Sequence, residues 1–202
     1  MGNNYKKEAL FSSHIFQFAN NDLALKLKDF ILNLDEISGI ESQVVPNIKN
    51  NLVESEFNFL QRDDETIIAT KTYFAQCIKE ALNDLYNASF EYKISFNDSW
   101  YHISKKNSSH DAHKHRNCSW CGIFYLQSGD LNNKGETKFL SPIDSNYADA
   151  GTIHSNEDSA TIIPEDGKLI LFPSYLEHYQ ALYTGDKDRI VVAFNSSIIE
   201  RH

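Results

Sequence analysis

The stretch EDGKLILFPSYLEHYQALYTGDKDRIVVAFN, residues 165–195, holds three short runs rich in β-branched and aromatic side chains: Lys168–Pro173, His178–Tyr183 and Arg189–Asn195. PEDG precedes the first run and TGDKD separates the last two; such Gly, Pro and Asp clusters mark the ends of strands. Toward the N-terminus the same texture recurs at Phe90–Phe96, Trp100–Ser104, Trp120–Gln127, Thr137–Leu140 and Thr161–Ile163. Roughly eight short strands at this spacing predict a β-sandwich or barrel.

Before Asn87 the pattern is different. Asn20-Asn21-Asp22 is suited to cap a helix carrying Leu23, Leu27, Phe30, Ile31 and Leu34 at three- and four-residue steps. A second helix is expected from about Asp64, with Ile67, Ile68, Phe74, Ile78, Leu82 and Leu85 as its stripe and Cys77 as a small core residue. Residues 35–63 read as a long polar loop with short ordered pieces. The expected architecture is α+β, mainly β, in a single domain over 1–202. Residues 1–87 form a mainly helical support and residues 88–202 the β core.

The totals narrow the function. With 41% hydrophobic and 23% charged residues, 202 residues can bury one sizeable core. A net charge of −9, with 19 scattered Lys and Arg, argues against a nucleic-acid backbone as partner. Three cysteines, Cys77, Cys118 and Cys121, give no disulfide framework and fit a reducing cytoplasm. No apolar run approaches the ~20 residues of a membrane span. MGNNYKKEALFSS lacks a secretory apolar region, and Lys6 breaks the myristoylation pattern. The expected setting is cytoplasmic, with no membrane partner; a homodimer is left open.

Eight histidines include the dense group His110-Asp-Ala-His113-Lys-His115, set between two expected strands. Residues two apart on extended backbone point to one side, so His113 and His115 can aim at one ion. A third imidazole from a neighbouring strand, His178, would complete one face of an octahedron and leave positions open for a chelating substrate and O2. Two rival readings stand beside this one. The histidines can be a solvated loop, or His115 with Cys118 and Cys121 can form a structural zinc site. Arg189 offers a planar fork for a carboxylate at the start of an apolar strand, against the alternative of a surface ion pair.

Trp100–Ser104, HDAHKH with SWCGIFYL, GETKFLSP, EDGKLILFPSYLEH and DRIVVAFN together resemble, in order and spacing, the 2-oxoglutarate-Fe(II) oxygenases related to prolyl hydroxylases. The resemblance runs from about Trp100 to Asn195. It implies a double-stranded β-helix, a cupin-like jelly roll, with N-terminal helices packed on one sheet. It further implies an Fe(II)- and 2-oxoglutarate-dependent dioxygenase using O2 to hydroxylate a small molecule, amino acid or peptide side chain, releasing succinate and CO2. Matched residue by residue, His113, His115 and His178 are the metal ligands, and Arg189 and Tyr125 hold the distal carboxylate of 2-oxoglutarate.

The chain also departs from the wider pattern. His115 stands where most such oxygenases have an aspartate, and three neutral imidazoles leave the iron more positive than a two-histidine, one-carboxylate set. Asp111 is therefore a reserve ligand or an orienting partner. His102 stands where asparagine is expected, and Glu177 is expected to face solvent. Residues 141–160, including His154, are either a lid over the pocket or a surface loop. Two other classes stay open: a non-catalytic cupin-like metal- and ligand-binding module, and the structural-zinc interaction protein.

Overall fold

The runs of β-branched and aromatic residues do form strands, and alternation with period two decides what each side chain faces. The structure, a computed structural model, describes residues 11–34, 49–86, 91–130, 135–142 and 158–200. In chain order the elements are β1 (Phe16–Ala19), α1 (Asn21–Leu32), β2 (Lys49–Glu54), a 3-10 turn (Phe59–Gln61) and α2 (Glu65–Tyr86). There follow β3 (Tyr92–His113), β4 (Trp120–Gln127), β5 (Thr137–Leu140), β6 (Ser159–Ile162), β7 (Lys168–Pro173), β8 (His178–Tyr183) and β9 (Arg189–Glu200).

Neighbouring strands are antiparallel in the order β1-β7-β4-β9-β3-β8-β5-β6, with β2 paired to β3. The long β3 makes this one curled sheet with two walls. Its residues 92–104 pair with β9, and Ser108–His113 pair with β8. β2 runs along the opposite edge and overlaps both stretches. Asn107, at φ 64°, marks the change of partner. Asparagine tolerates this left-handed conformation better than most residues.

Along β4, Phe124 and Leu126 pack outward with the helices, while Cys121 and Tyr125 face inward. β7 and β9 obey the same parity: Leu169, Leu171, Ile190 and Val192 face out, and Ile170, Phe172 and Val191 face in. Strands buried on both faces read as continuous apolar runs, which is how these appeared in the sequence.

The helices cover the outer face of the β1-β7-β4-β9-β3 wall. Asn20 caps α1 by accepting from the Leu23 N–H at 3.1 Å. Leu27 and Ile31 of α1 and Ile67 and Phe74 of α2 are fully buried, each contributing roughly 1.5–3 kcal/mol of transfer free energy. Phe74 stacks on Phe194 of β9 at 4.6 Å and meets Phe124 of β4 edge-on at 5.6 Å. That contact explains a glycine. A Cβ at Gly122 would lie 2.3 Å from the Phe194 ring, and the ring, backed by Phe74, has nowhere to go. Gly122→Ala is expected to destabilise the fold by about 1–3 kcal/mol, read as a lower urea midpoint with an unchanged slope.

Three expectations need adjustment. β1 and β2 add to the sheet, so the N-terminal third is not helical support alone. The 35–63 region contains β2 and the 3-10 turn; residues 35–48 lie outside the described residues, as do His154 and most of the 141–160 stretch. The His110–His113 segment is the end of β3 rather than a loop, because its backbone pairs with β8. Neither helix is long and apolar enough to cross a membrane.

Candidate metal centre and carboxylate pocket

Inward parity on adjacent strands sets His113 of β3 directly opposite His178 of β8 in the ladder. His115 follows two residues after β3 ends, where its backbone N–H donates to the Ser174 carbonyl at 3.4 Å. The ligand atoms of His113, His115 and His178 all lie within 4.8 Å of one another. Their ring centroids are 4.4 Å (113–178), 5.0 Å (113–115) and 5.2 Å (115–178) apart.

Backbone carbonyls orient two of the rings. His113 Nδ1 lies 2.8 Å from the Asp111 carbonyl, and His178 Nδ1 lies 3.0 Å from the Leu176 carbonyl. A carbonyl only accepts, so each Nδ1 carries the proton and each Nε2 presents a lone pair. Only 4% of His178 is exposed. That burial, with the His113 and then the His115 imidazole adding to it, pushes its pKa down to about 3. His178 is thus neutral, the form that binds a metal, throughout the physiological range.

The depressed value carries a stability prediction. An unfolded histidine titrates near 6.5, so below that pH the unfolded chain binds a proton that folded His178 refuses. Its contribution is present above about pH 6.5 and is lost as pH falls toward 3. Metal-free protein is therefore expected to melt several degrees lower at pH 5 than at pH 7. His178→Phe should flatten that dependence in the same scanning calorimetry series.

The neighbouring candidates are placed differently. The Asp111 side chain is exposed and outside the ligand group; this residue reaches the site through its backbone carbonyl. His110 stacks on His113 at 4.1 Å, and His102 Nε2 lies 2.7 Å from Glu54 Oε1. Glu177 is half-buried and pairs with Lys114 at 3.4 Å. The Cys118 and Cys121 sulfurs are 3.9 Å apart, but among the described residues no group of ligand atoms joins them to His115.

Arg189 opens β9 at 2% exposure. Its Nη1 donates to Gln180 Oε1 at 2.8 Å, and its Cζ sits 5.2 Å from the centroid of the Tyr125 ring. Its Nε has no partner, and among the described residues no carboxylate pairs with it. Burial pulls the guanidinium pKa down, against the opposing pull of Tyr125, yet arginine stays charged in proteins. A buried cation without a counter-charge is costly, and the cost falls when an anion binds.

Gln180 organises this corner. Its Oε1 also accepts from Ser104 Oγ at 3.1 Å, and its Nε2 donates to Ser108 Oγ at 3.2 Å. The Tyr125 hydroxyl, fully buried, bonds Thr137 Oγ1 at 2.6 Å. Burial chiefly, with Arg189 opposing, raises the Tyr125 pKa, so its phenol is a neutral donor. The histidines, Arg189, Gln180 and Thr137 share one cavity of about 500 Å³, its open mouth included. Sequence reading missed Gln180, which belongs to no motif, and Thr137, which lies in GETKFLSP without having been singled out. The available signal was parity: Gln180 lies two residues beyond His178, hence on the same face.

The curled antiparallel sheet, with histidines converging on its inner wall, defines the class: a double-stranded β-helix with a candidate metal centre. Residues 98–195, just under half the chain, match the family described as "Putative 2OG-Fe(II) oxygenase", which bears out the resemblance read from the sequence. No curated protein matches. Among solved structures, a Pseudomonas putida prolyl-4-hydroxylase shares 13% identity over 95% of each chain, at TM-score 0.63. HygX from Streptomyces hygroscopicus, solved with nickel and 2-oxoglutarate bound, shares 11% identity over 92% of this chain and 83% of its own, at TM-score 0.59. A Trichoplax adhaerens prolyl hydroxylase, solved with a hypoxia inducible factor peptide, shares 13% identity over 90% and 82%, at TM-score 0.58. At these identities the likeness is one of fold, and the fold is the double-stranded β-helix of 2-oxoglutarate oxygenases.

Proposed function

We propose that this protein is an Fe(II)- and 2-oxoglutarate-dependent dioxygenase that hydroxylates a small molecule, amino acid or peptide side chain. The observation that carries the reading is the joint geometry of three convergent imidazoles and a buried arginine that meets no carboxylate among the described residues, all in one cavity. The imidazole set suits a borderline divalent metal, and the arginine suits a ligand carrying a carboxylate. Both ligands occur together in the HygX structure.

His113, His115 and His178 would hold the metal, two of them oriented by backbone carbonyls. Iron, when bound, supplies the activation of O2 coupled to oxidative decarboxylation of 2-oxoglutarate into succinate and CO2. Arg189 would pair with the distal carboxylate, with the Tyr125 and Thr137 hydroxyls beside it and Gln180 fixing the guanidinium plane. Phe172 and Val191, which line the cavity, exclude water, which strengthens each of these polar contacts. No general base is required of the protein, consistent with a cavity lined by no carboxylate among the described residues.

The test is anaerobic loading with Fe(II), addition of 2-oxoglutarate and O2, and measurement of succinate. Metal-dependent succinate release above a metal-free control is the expected result. Tight Fe(II) and 2-oxoglutarate binding without succinate, across a panel of peptides and amino acids, would favour a binding module instead.

A further inference from the structure

We propose that Cys118 and Cys121 form a peroxide-sensitive modification site, closing to a disulfide beside the metal centre. The two sulfurs lie 3.9 Å apart, and both cysteines are free. Closing to a bond of about 2 Å needs side-chain rotation and a small backbone adjustment. The two are unequal in the way a reactive pair requires. Cys118 is half-buried, within reach of a small oxidant, while Cys121 is 2% exposed, on the inner wall of the cavity. A hydrogen bond with Cys121 lowers the Cys118 pKa to about 7, so a large thiolate fraction exists at neutral pH. Cys77, inside α2, supplies an internal control, since burial pushes its pKa up to about 11.

The chemistry balances with hydrogen peroxide as oxidant. The Cys118 thiolate attacks one peroxide oxygen, giving a sulfenic acid and a hydroxide that becomes water on protonation. The Cys121 sulfur then attacks the Cys118 sulfur, the S–O bond breaks, and the departing hydroxide takes the Cys121 proton as a second water. Two thiols are oxidised and one peroxide is reduced.

The position gives the modification a consequence. The Cys118 carbonyl accepts from Ser174 Oγ at 2.8 Å, the Ser119 carbonyl accepts from Ser174 N–H at 3.1 Å, and the Ser174 carbonyl receives the His115 N–H. A disulfide that draws Cys118 toward the sheet pulls on the turn that seats His115. This link to metal binding rests on the reading of the histidines as ligands; the disulfide itself does not.

The test uses the full chain, reduced, treated with a few equivalents of hydrogen peroxide and quenched with N-ethylmaleimide. Expected is a peptide containing both Cys118 and Cys121 that is about 2 Da lighter and closed to alkylation, with Cys77 still alkylated. Cys121→Ser should instead leave a Cys118 sulfenic acid that dimedone traps. Oxidation of Cys77 as fast as Cys118, full alkylation of all three thiols, or cross-links between chains would overturn the proposal. Co(II) titration supplies the second readout: oxidised protein should bind at least fivefold more weakly and recover with dithiothreitol. Unchanged affinity on oxidation refutes the coupling to His115. Absence of Co(II) binding in the reduced protein would instead refute the metal-centre reading and leave the thiol result standing.

Discussion

Arg189→Met is expected to raise the KM for 2-oxoglutarate by about 100-fold or more while Fe(II) occupancy stays near that of the unaltered protein. The size follows from the environment: removing one partner of a buried, hydrogen-bonded charge pair costs about 2–5 kcal/mol, the upper half of which exceeds 100-fold. The same substitution should leave the ligand-free fold as stable or more so. The guanidinium is buried with an unpartnered Nε and, among the described residues, no carboxylate beside it, and exchanging such a charge for an apolar group of similar volume is often neutral or stabilising. Gln180 Oε1 keeps its Ser104 donor, so no acceptor is orphaned. A melting temperature rising by roughly 2–4 °C per kcal/mol gained, with loss of the further increment that 2-oxoglutarate gives, would be the paired signature. Unchanged 2-oxoglutarate affinity in this variant would remove the carboxylate clamp from the proposal.

His178→Ala is expected to weaken Fe(II) or Co(II) binding by more than about 100-fold, because it takes one of three convergent ligands and leaves two. Isothermal titration under anaerobic conditions reads this directly. Two companions sharpen it. Asp111→Ala should bind metal normally, since Asp111 serves through its backbone carbonyl. His115→Asp should keep the metal as well, because a carboxylate there restores the charge that a two-histidine, one-carboxylate set carries. Metal binding that survives His178→Ala but not Asp111→Ala would reassign the ligands.

How much of this was written in the sequence can be judged residue by residue. β7, β8 and the start of β9 were legible because each is a short apolar run closed by turn residues. The helix starts were legible from Asn20 and the residues around Asp64, which are ordinary capping chemistry. β3 reads as two pieces, Phe90–Phe96 and Trp100–Ser104, because Asn97-Asp98-Ser99 interrupts its apolar texture, and its continuation to His113 is hidden by Lys105-Lys106-Asn107-Ser108. In the fold those residues cover the bend where the strand passes from β9 to β8. β2, KNNLVE, has too little apolar content to announce itself, since it needs to satisfy only the edge of β3. His113 and His178 could be nominated from spacing, but their contact is a matter of register between strands about 65 residues apart in the chain, which no local pattern encodes. Gln180 and Thr137 were invisible for a related reason: a polar residue on a strand looks solvent-facing until the opposite wall is in place.

The helices lie against one wall only. Arg189, Tyr125 and Cys121 are carried by the strands that α1 and α2 back, whereas β5, β6 and β8 have no described helix behind them, and Leu182 of β8 is 48% exposed. The two halves of the pocket are therefore insulated unequally from thermal breathing. Amide exchange should be slowest along β4 and β9 and faster along β5 and β6. On this arrangement the guanidinium keeps its place while the thinner side yields, which lets the cleft widen for a bulky guest without disturbing the anchor at its base.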